Sequence, residues 1–216
     1  MAHIESLETE PVSISELQFP ITDGTHVPFD HGLSMFAQIK RLVPDLGDNL
    51  AIHPLAGQPE SDGTLRLHKG SHLTFRLHNT SIPAALRLAG AEIRLGRHTL
   101  HLGAPNRRPL IPSPALSSSR VIINLSQIPQ TPNGLLRKEA LRHSFVHALK
   151  AELEHLHISK PFDLTSLAFI KIQNQRLFGF SVRINNLNSH ESLTLQSEGV
   201  GIKRHLGCGI FRPARW

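Results

Sequence analysis

Leu193-Thr-Leu-Gln-Ser-Glu-Gly199-Val-Gly201-Ile-Lys203-Arg204-His205-Leu-Gly207-Cys-Gly209-Ile-Phe-Arg-Pro213 reads as the end of a helix, a glycine-rich loop and a last strand. Just upstream, Asn188 and Glu191 have the spacing of a capping box, which starts the helix over 189–198. Working backwards, the pattern gives strands at 177–184 and 167–172. Before them comes a helix over 136–157 with the apolar stripe Leu141, Phe145, Leu149, Leu153 and Leu156. A strand opens the series at Arg120-Val-Ile-Ile-Asn-Leu125, and the last strand, 208–212, closes it. Strand–helix–strand–strand–helix–strand is the ferredoxin-like order.

The first half has the same skeleton with extra hairpins. Ile14 to Phe19 alternates as a strand. Met35, Phe36, Ile39, Leu42 and Val43 have helical spacing over 31–43, with Asp30 placed to cap the start and Pro44 beyond the end. Short strands are expected at 50–55, 64–68 and 72–77, a short helix at 82–89 closed by Gly90, and a hairpin of 91–95 with 98–102. Residues 103–118 hold four prolines and read as a linker or long loop carrying Arg107 and Arg108. The expected architecture is α+β, two tandem ferredoxin-like (RRM-like) domains. Residues 1–12 form an acidic flexible tail, 13–118 the first domain with its extra hairpins and long basic loop, and 119–216 the second with the glycine loop.

The charge is unevenly placed. The net charge is +6, yet residues 1–62 hold two cations, Lys40 and Arg41, against ten carboxylates. Residues 63–216 therefore carry 21 of the 23 cations and only 7 of the 17 carboxylates. A basic body of this size points to a polyanion, RNA or DNA before an acidic membrane. The single cysteine, Cys208, rules out an intramolecular disulfide and a cysteine-based zinc site. That suits a reducing cytoplasm. The acidic N-terminus lacks the apolar stretch of a signal peptide, and no apolar run approaches bilayer length.

Glycines let backbone approach an anion closely, and flanking cations strengthen such a concavity. Gly199, Gly201, Gly207 and Gly209 around Lys203, Arg204 and His205 therefore favour phosphate; the plainer alternative is a glycine-punctuated turn with solvated cations. Arg137, Lys138, Arg142 and His143 cluster at the start of the long helix, where they suit tracking of A-form backbone or simply a solvated face. His143 and His147 share a helical face, but no set of three or four converging ligands accompanies them, so no metal site is expected. Aromatics are scarce: ten Phe, one Trp and no Tyr, many of the Phe at core spacing. Recognition by stacking on exposed rings is therefore a minor mode at most.

Six segments stand in order along the chain: Leu17-Gln-Phe-Pro20, Pro28-Phe-Asp-His31-Gly, Ile52-His-Pro-Leu-Ala-Gly57, Ser71-His-Leu-Thr-Phe-Arg76, Leu88-Ala-Gly90, and Ser192-Leu-Thr-Leu-Gln196 running into Gly207-Cys-Gly-Ile-Phe211. Together they resemble the pre-crRNA processing endoribonucleases of CRISPR systems. The likeness is to the sixth Cas protein in its MYXAN subtype, within the RAMP superfamily. It implies a metal-independent ribonuclease without cofactor. The ribose 2′-OH of a repeat stem-loop would attack its own phosphodiester, leaving 2′,3′-cyclic phosphate and 5′-OH ends. The mature guide RNA would be the retained product, and other Cas subunits of a type I effector complex are implied partners. The competing reading is a non-catalytic RNA-binding subunit of an effector complex.

In-line transesterification needs a base, an acid and cations around the phosphorane. His31 is the expected base: it stands at a helix N-terminus, where the dipole favours a phosphate and a neutral imidazole. His26, in the preceding loop, is the second choice. Lys203 and Arg204 are expected to bind the scissile phosphate, with His205 beside them. Arg107 and Arg108 would clamp a hairpin stem. The family often places a tyrosine where this chain has Leu33, so a phenolic acid is excluded. A second histidine, Lys203 or Arg204 remains to donate the proton or stabilise charge.

Overall fold

Ser15, Leu17 and Phe19 are buried along one side of the first strand, and Glu16 and Gln18 alternate onto the other. The computed structural model describes residues 13–47, 50–124, 138–172 and 175–214. The expected acidic tail, Arg137 and the side chain of Lys138 lie outside the described residues.

The first half runs β1 (Ile14–Asp23), β2 (His26–Pro28), α1 (Gly32–Leu42), β3 (Ala51–Ile52), β4 (Gly57–Pro59) and β5 (Thr64–Leu67). It continues with β6 (His72–His78), α2 (Ile82–Ala85) with a 3-10 turn to Leu88, β7 (Glu92–Leu95), β8 (His98–Leu102) and β9 (Asn106–Pro109). The main sheet has the order β3-β6-β1-β8-β7, and β9 also pairs with β1. With β1, β3, β6 and β8 as the four strands, the spatial order 2-3-1-4 is ferredoxin-like. The strands β2, β5 and β4 form a separate small sheet. Met35 and Ile39 of α1 pack with Leu17, Phe19, Leu73 and Phe75 in one core.

The second half runs β10 (Leu116–Val121), α3 (Lys138–His155), β11 (Phe162–Ile172), β12 (Gln175–Ile184), α4 (Ser189–Glu198) and β13 (Arg212–Pro213). Its sheet order, β11-β12-β10-β13, is again 2-3-1-4. Leu141, Phe145, Leu149 and Leu153 of α3 are buried against Phe180 and Val182 of β12, with Leu156 at the margin. Phe145 and Phe180 meet edge to face at 4.9 Å, a contact worth about 0.5–1.5 kcal/mol beyond area burial. The capping box is present: Asn188 Oδ1 accepts from Glu191 N–H at 2.9 Å, and Glu191 Oε2 accepts from Asn188 N–H at 2.8 Å.

Several local expectations are corrected. Arg107 and Arg108 are not on a loop but in β9, where they pair with Leu17 and Glu16. One of the four prolines that suggested a loop, Pro109, ends that strand, where a missing ladder N–H costs least. Strand β10 starts at Leu116 and pairs with both β12 and β13 from there, so the second sheet begins before residue 119. The last strand is only Arg212–Pro213; Arg204–Leu206 turn as a 3-10 helix, and the buried Cys208 to Phe211 lie before the strand. Asp30 does not cap α1: the N-cap is His31, without a side-chain cap bond.

Candidate active site

The glycine loop is built around β10. All four glycines have positive φ: 66° at Gly199, 82° at Gly201, 85° at Gly207 and 64° at Gly209. A Cβ at Gly201 would meet Ile122 O at 2.2 Å, and one at Gly209 would meet Val200 O at 2.0 Å. Ile202 N–H donates to Ile122 O and Gly209 N–H to Arg120 O. Leu206, Gly207 and Cys208 donate back to Lys203 or Arg204 carbonyls. These amides therefore bind the loop to itself and to β10 rather than forming an open anion cradle. The glycines are needed for close backbone approach.

That packing brings the loop against α1. A Cβ at Gly32 would lie 3.0 Å from Leu206 O, and the His205 ring lies 4.4 Å from the Phe36 ring. A cleft opens between them, lined by Phe29, Asp30, His31, His53, Pro54, Arg120, His205 and Leu206 among others. Residues from α1, β3, β10 and the glycine loop thus converge.

His31 is 6% exposed and held at both ring nitrogens. Nδ1 is 3.0 Å from Pro28 O, and Leu55 N–H donates to Nε2 at 3.2 Å. Together these bonds require the tautomer with hydrogen on Nδ1 and a lone pair on Nε2. Burial pushes the imidazole pKa down, and Arg120 adds to this; Pro28 O and Asp30 oppose it. The net result is a neutral ring. Ser34 Oγ donates to the His31 carbonyl at 3.1 Å, a local turn bond and not a bond to the ring.

The other sequence candidates are distributed differently. His205 shares the cleft with His31. Lys203 holds the left-handed backbone conformation at φ 66° that opens the 3-10 turn, but does not line the cleft. Arg204 is turned inward: Nη2 donates to Ser197 O at 2.7 Å, at the end of α4. Burial and then Arg76 bring its pKa down to about 10, against an opposing pull from Glu198. His26 lies in the small sheet, with Nε2 3.3 Å from Glu60 and Nδ1 2.8 Å from Thr25 Oγ1, away from the cleft lining. Arg107 and Arg108 are exposed on β9, Arg107 donating to Ser15 Oγ at 3.1 Å; Arg142 and His143 are exposed on α3. Among the described residues, no group of three or more His, Cys, Asp or Glu is placed to hold a metal ion.

Sequence reading gave no role to Arg120, nor to a buried charged group behind the cleft. Arg76 Nη2 donates to Glu16 Oε1 at 2.6 Å, and His53 Nε2 lies 3.2 Å from the same oxygen. That ring nitrogen is at ion-pair distance without the alignment of a full hydrogen bond. Burial raises the Glu16 pKa, but His53 and Arg76 outweigh it and hold the carboxyl at about 2. Arg76 Nη1 donates to Gln196 O at 2.7 Å and Phe211 O at 2.8 Å, joining the first sheet to the second half of the chain. The available signal was a lone arginine inside the apolar strand Leu73-Thr-Phe-Arg76-Leu77.

Comparison with known proteins agrees with this architecture. The family model described as Cas6 Crispr matches residues 15–216. A CRISPR-associated endonuclease Cas6 from Myxococcus xanthus is 27% identical over 201 residues, 92% of this chain and 80% of the relative. A solved CRISPR associated protein Cas6 superposes with a TM-score of 0.62 at 13% identity, covering 94% of this chain and 99% of that one. A Cas6-related protein from Pyrococcus furiosus gives 0.59 at 12% identity, covering 92% and 98%. At these identities the structures speak for the fold, two ferredoxin-like units, and the family match reaches almost the whole chain. The chain belongs to the Cas6 family of CRISPR-associated endonucleases.

Proposed function

We propose that this protein cleaves CRISPR repeat RNA by attack of a ribose 2′-OH on the adjacent phosphodiester, without a metal ion, and retains the guide RNA product. The supporting observation is a neutral histidine, His31, with its lone pair on Nε2, at the N-terminus of α1 and lining a cleft with Arg120 and His205. His31 Nε2 takes the 2′-OH proton, exchanging its long bond from Leu55 N–H for the substrate hydroxyl. The helix dipole and Arg120 stabilise the phosphorane. His205 stands beside the same phosphate, while Lys203 stands on the loop outside the cleft lining and Arg204 is committed inward to Ser197 O. The basic body, with Arg107, Arg108, Arg142 and His143, holds the stem through its backbone.

The reaction is tested with repeat RNA in EDTA. Cleavage to a 2′,3′-cyclic phosphate and a 5′-OH is expected, with His31→Ala slowing it by roughly 10²–10⁴-fold while RNA binding is kept. Tight binding without cutting by the wild-type protein would assign it instead as an RNA-holding subunit.

A further inference from the structure

The transesterification has two proton transfers, and His31 accounts for one. The other group must share the cleft, carry a transferable proton and be aimed. An arginine does not release its proton, which removes Arg120. His205 is packed on Phe36 as part of the wall. His53 differs. It lines the same cleft at the end of β3, its backbone N–H is pinned to Thr74 O at 2.9 Å, and Pro54 stiffens the chain after it. Its Nε2 is turned to Glu16, whose carboxylate is gripped by the buried Arg76. A carboxylate 3.2 Å behind one imidazole nitrogen favours a proton there and stabilises the imidazolium through its charge, which leaves Nδ1 for the other transfer.

From this geometry we infer that His53 is the general acid, giving its Nδ1 proton to the leaving 5′-oxygen, with Glu16 and Arg76 as positioning residues. This rests on the nuclease reading above. In the step, the 2′-OH proton passes to His31 Nε2 and the 2′-O–P bond forms. The P–O5′ bond breaks and O5′ takes the proton from His53 Nδ1. His31 ends as imidazolium and His53 as neutral imidazole with hydrogen on Nε2, facing Glu16. The groups that face His53 are Glu16 from β1, Arg76 from β6, Arg212 from β13, and Asp30, His31, Arg120 and His205 around the cleft. In the free protein, burial lowers the His53 pKa; Arg76 and Arg212 act the same way, and Glu16 opposes them. A phosphate in the cleft adds a second anion beside the ring and favours its charged form.

The test uses repeat RNA with an ordinary 5′-oxygen at the scissile bond and the same RNA with sulfur bridging at that position. A thiolate leaves without being protonated. For His53→Gln, cleavage of the oxygen substrate is expected to fall roughly 10²–10⁴-fold, with most of the loss recovered on the sulfur substrate. His31→Ala stays slow on both. Binding of an uncleavable RNA with a 2′-deoxy nucleotide at the cut site reports folding, and His53→Asn repeats the test if the Gln variant binds poorly. Equal loss on both substrates, loss of RNA binding in both variants, wild-type rates without His53, or sulfur rescue of His205→Ala instead would overturn the assignment. Failure of the wild-type protein to cut either RNA would remove the nuclease reading and this one with it.

Discussion

Arg76 and Glu16 form the buried ion pair on which the two halves of the molecule meet: Nη2 to Oε1 is 2.6 Å, and the Arg76 side chain is 1% exposed. The same guanidinium reaches the carbonyls of Gln196 and Phe211, more than a hundred residues further along the chain. Charges buried this deeply persist only when paired and hydrogen-bonded.

Arg76→Ala leaves Glu16 without its buried cation and two carbonyls without a donor. A loss of about 3–5 kcal/mol of unfolding free energy is expected, measured by urea denaturation. Arg76→Lys should not restore it, because one ammonium cannot span the Glu16 carboxylate and both carbonyls with the planar fork.

Glu16 makes stability depend on acid. Its folded-state pKa, about 2, lies below the ordinary 4.5, so its contribution is full above 4.5 and is lost as pH falls through 4.5 toward 2. At neutral pH this is about 3 kcal/mol, from the size of that shift. Denaturation of wild type and Glu16→Gln at pH 7 and pH 3 should show a gap that narrows in acid; an unchanged gap would contradict the linkage.

Gly201→Ala should damage the loop more than Gly63→Ala damages its turn. Both residues have φ near 80°, 82° and 81°, so both substitutions cost about 1–2 kcal/mol in backbone strain. Only at Gly201 does the new Cβ also meet a carbonyl, Ile122 O at 2.2 Å; at Gly63 nothing lies within 4 Å. The expected readout is a larger drop in Tm for Gly201→Ala together with slower RNA cleavage, and an unchanged cleavage rate for Gly63→Ala.

Phosphate contacts should be countable from salt. Arg108→Ala and Arg142→Ala, both at exposed positions, are expected each to lower the slope of log Kd against log salt by about 1 if the side chain meets the RNA backbone. Cleavage of saturating RNA should be unchanged in both. An unaltered slope would place that arginine off the RNA path.

Much of the fold was readable locally. The stripe Leu141, Phe145, Leu149 and Leu153, the Asn188–Glu191 box and the alternation of Ile14 to Phe19 are short-range patterns, and each became the expected element. Reading failed where a partner strand decides the state. Residues 106–109 are polar and proline-edged, yet they pair because β1 offers a free edge to them. The start of β10 at Leu116 is likewise set by its distant partners, Ile184 of β12 and Pro213 of β13.

The sequence alone determined two βαββαβ units, a basic body, a glycine-dependent loop and a histidine at the start of α1, because periodicity, charge and backbone permissiveness are properties of neighbouring residues. Only the tertiary structure decided which side chains share a cleft. It set His53 and His31 in the lining of one cleft, turned Arg204 inward to Ser197, and placed Glu16 and Arg76 behind His53. Those groupings depend on long-range burial, where the desolvation of a charge forces it to find a partner that sequence spacing does not specify.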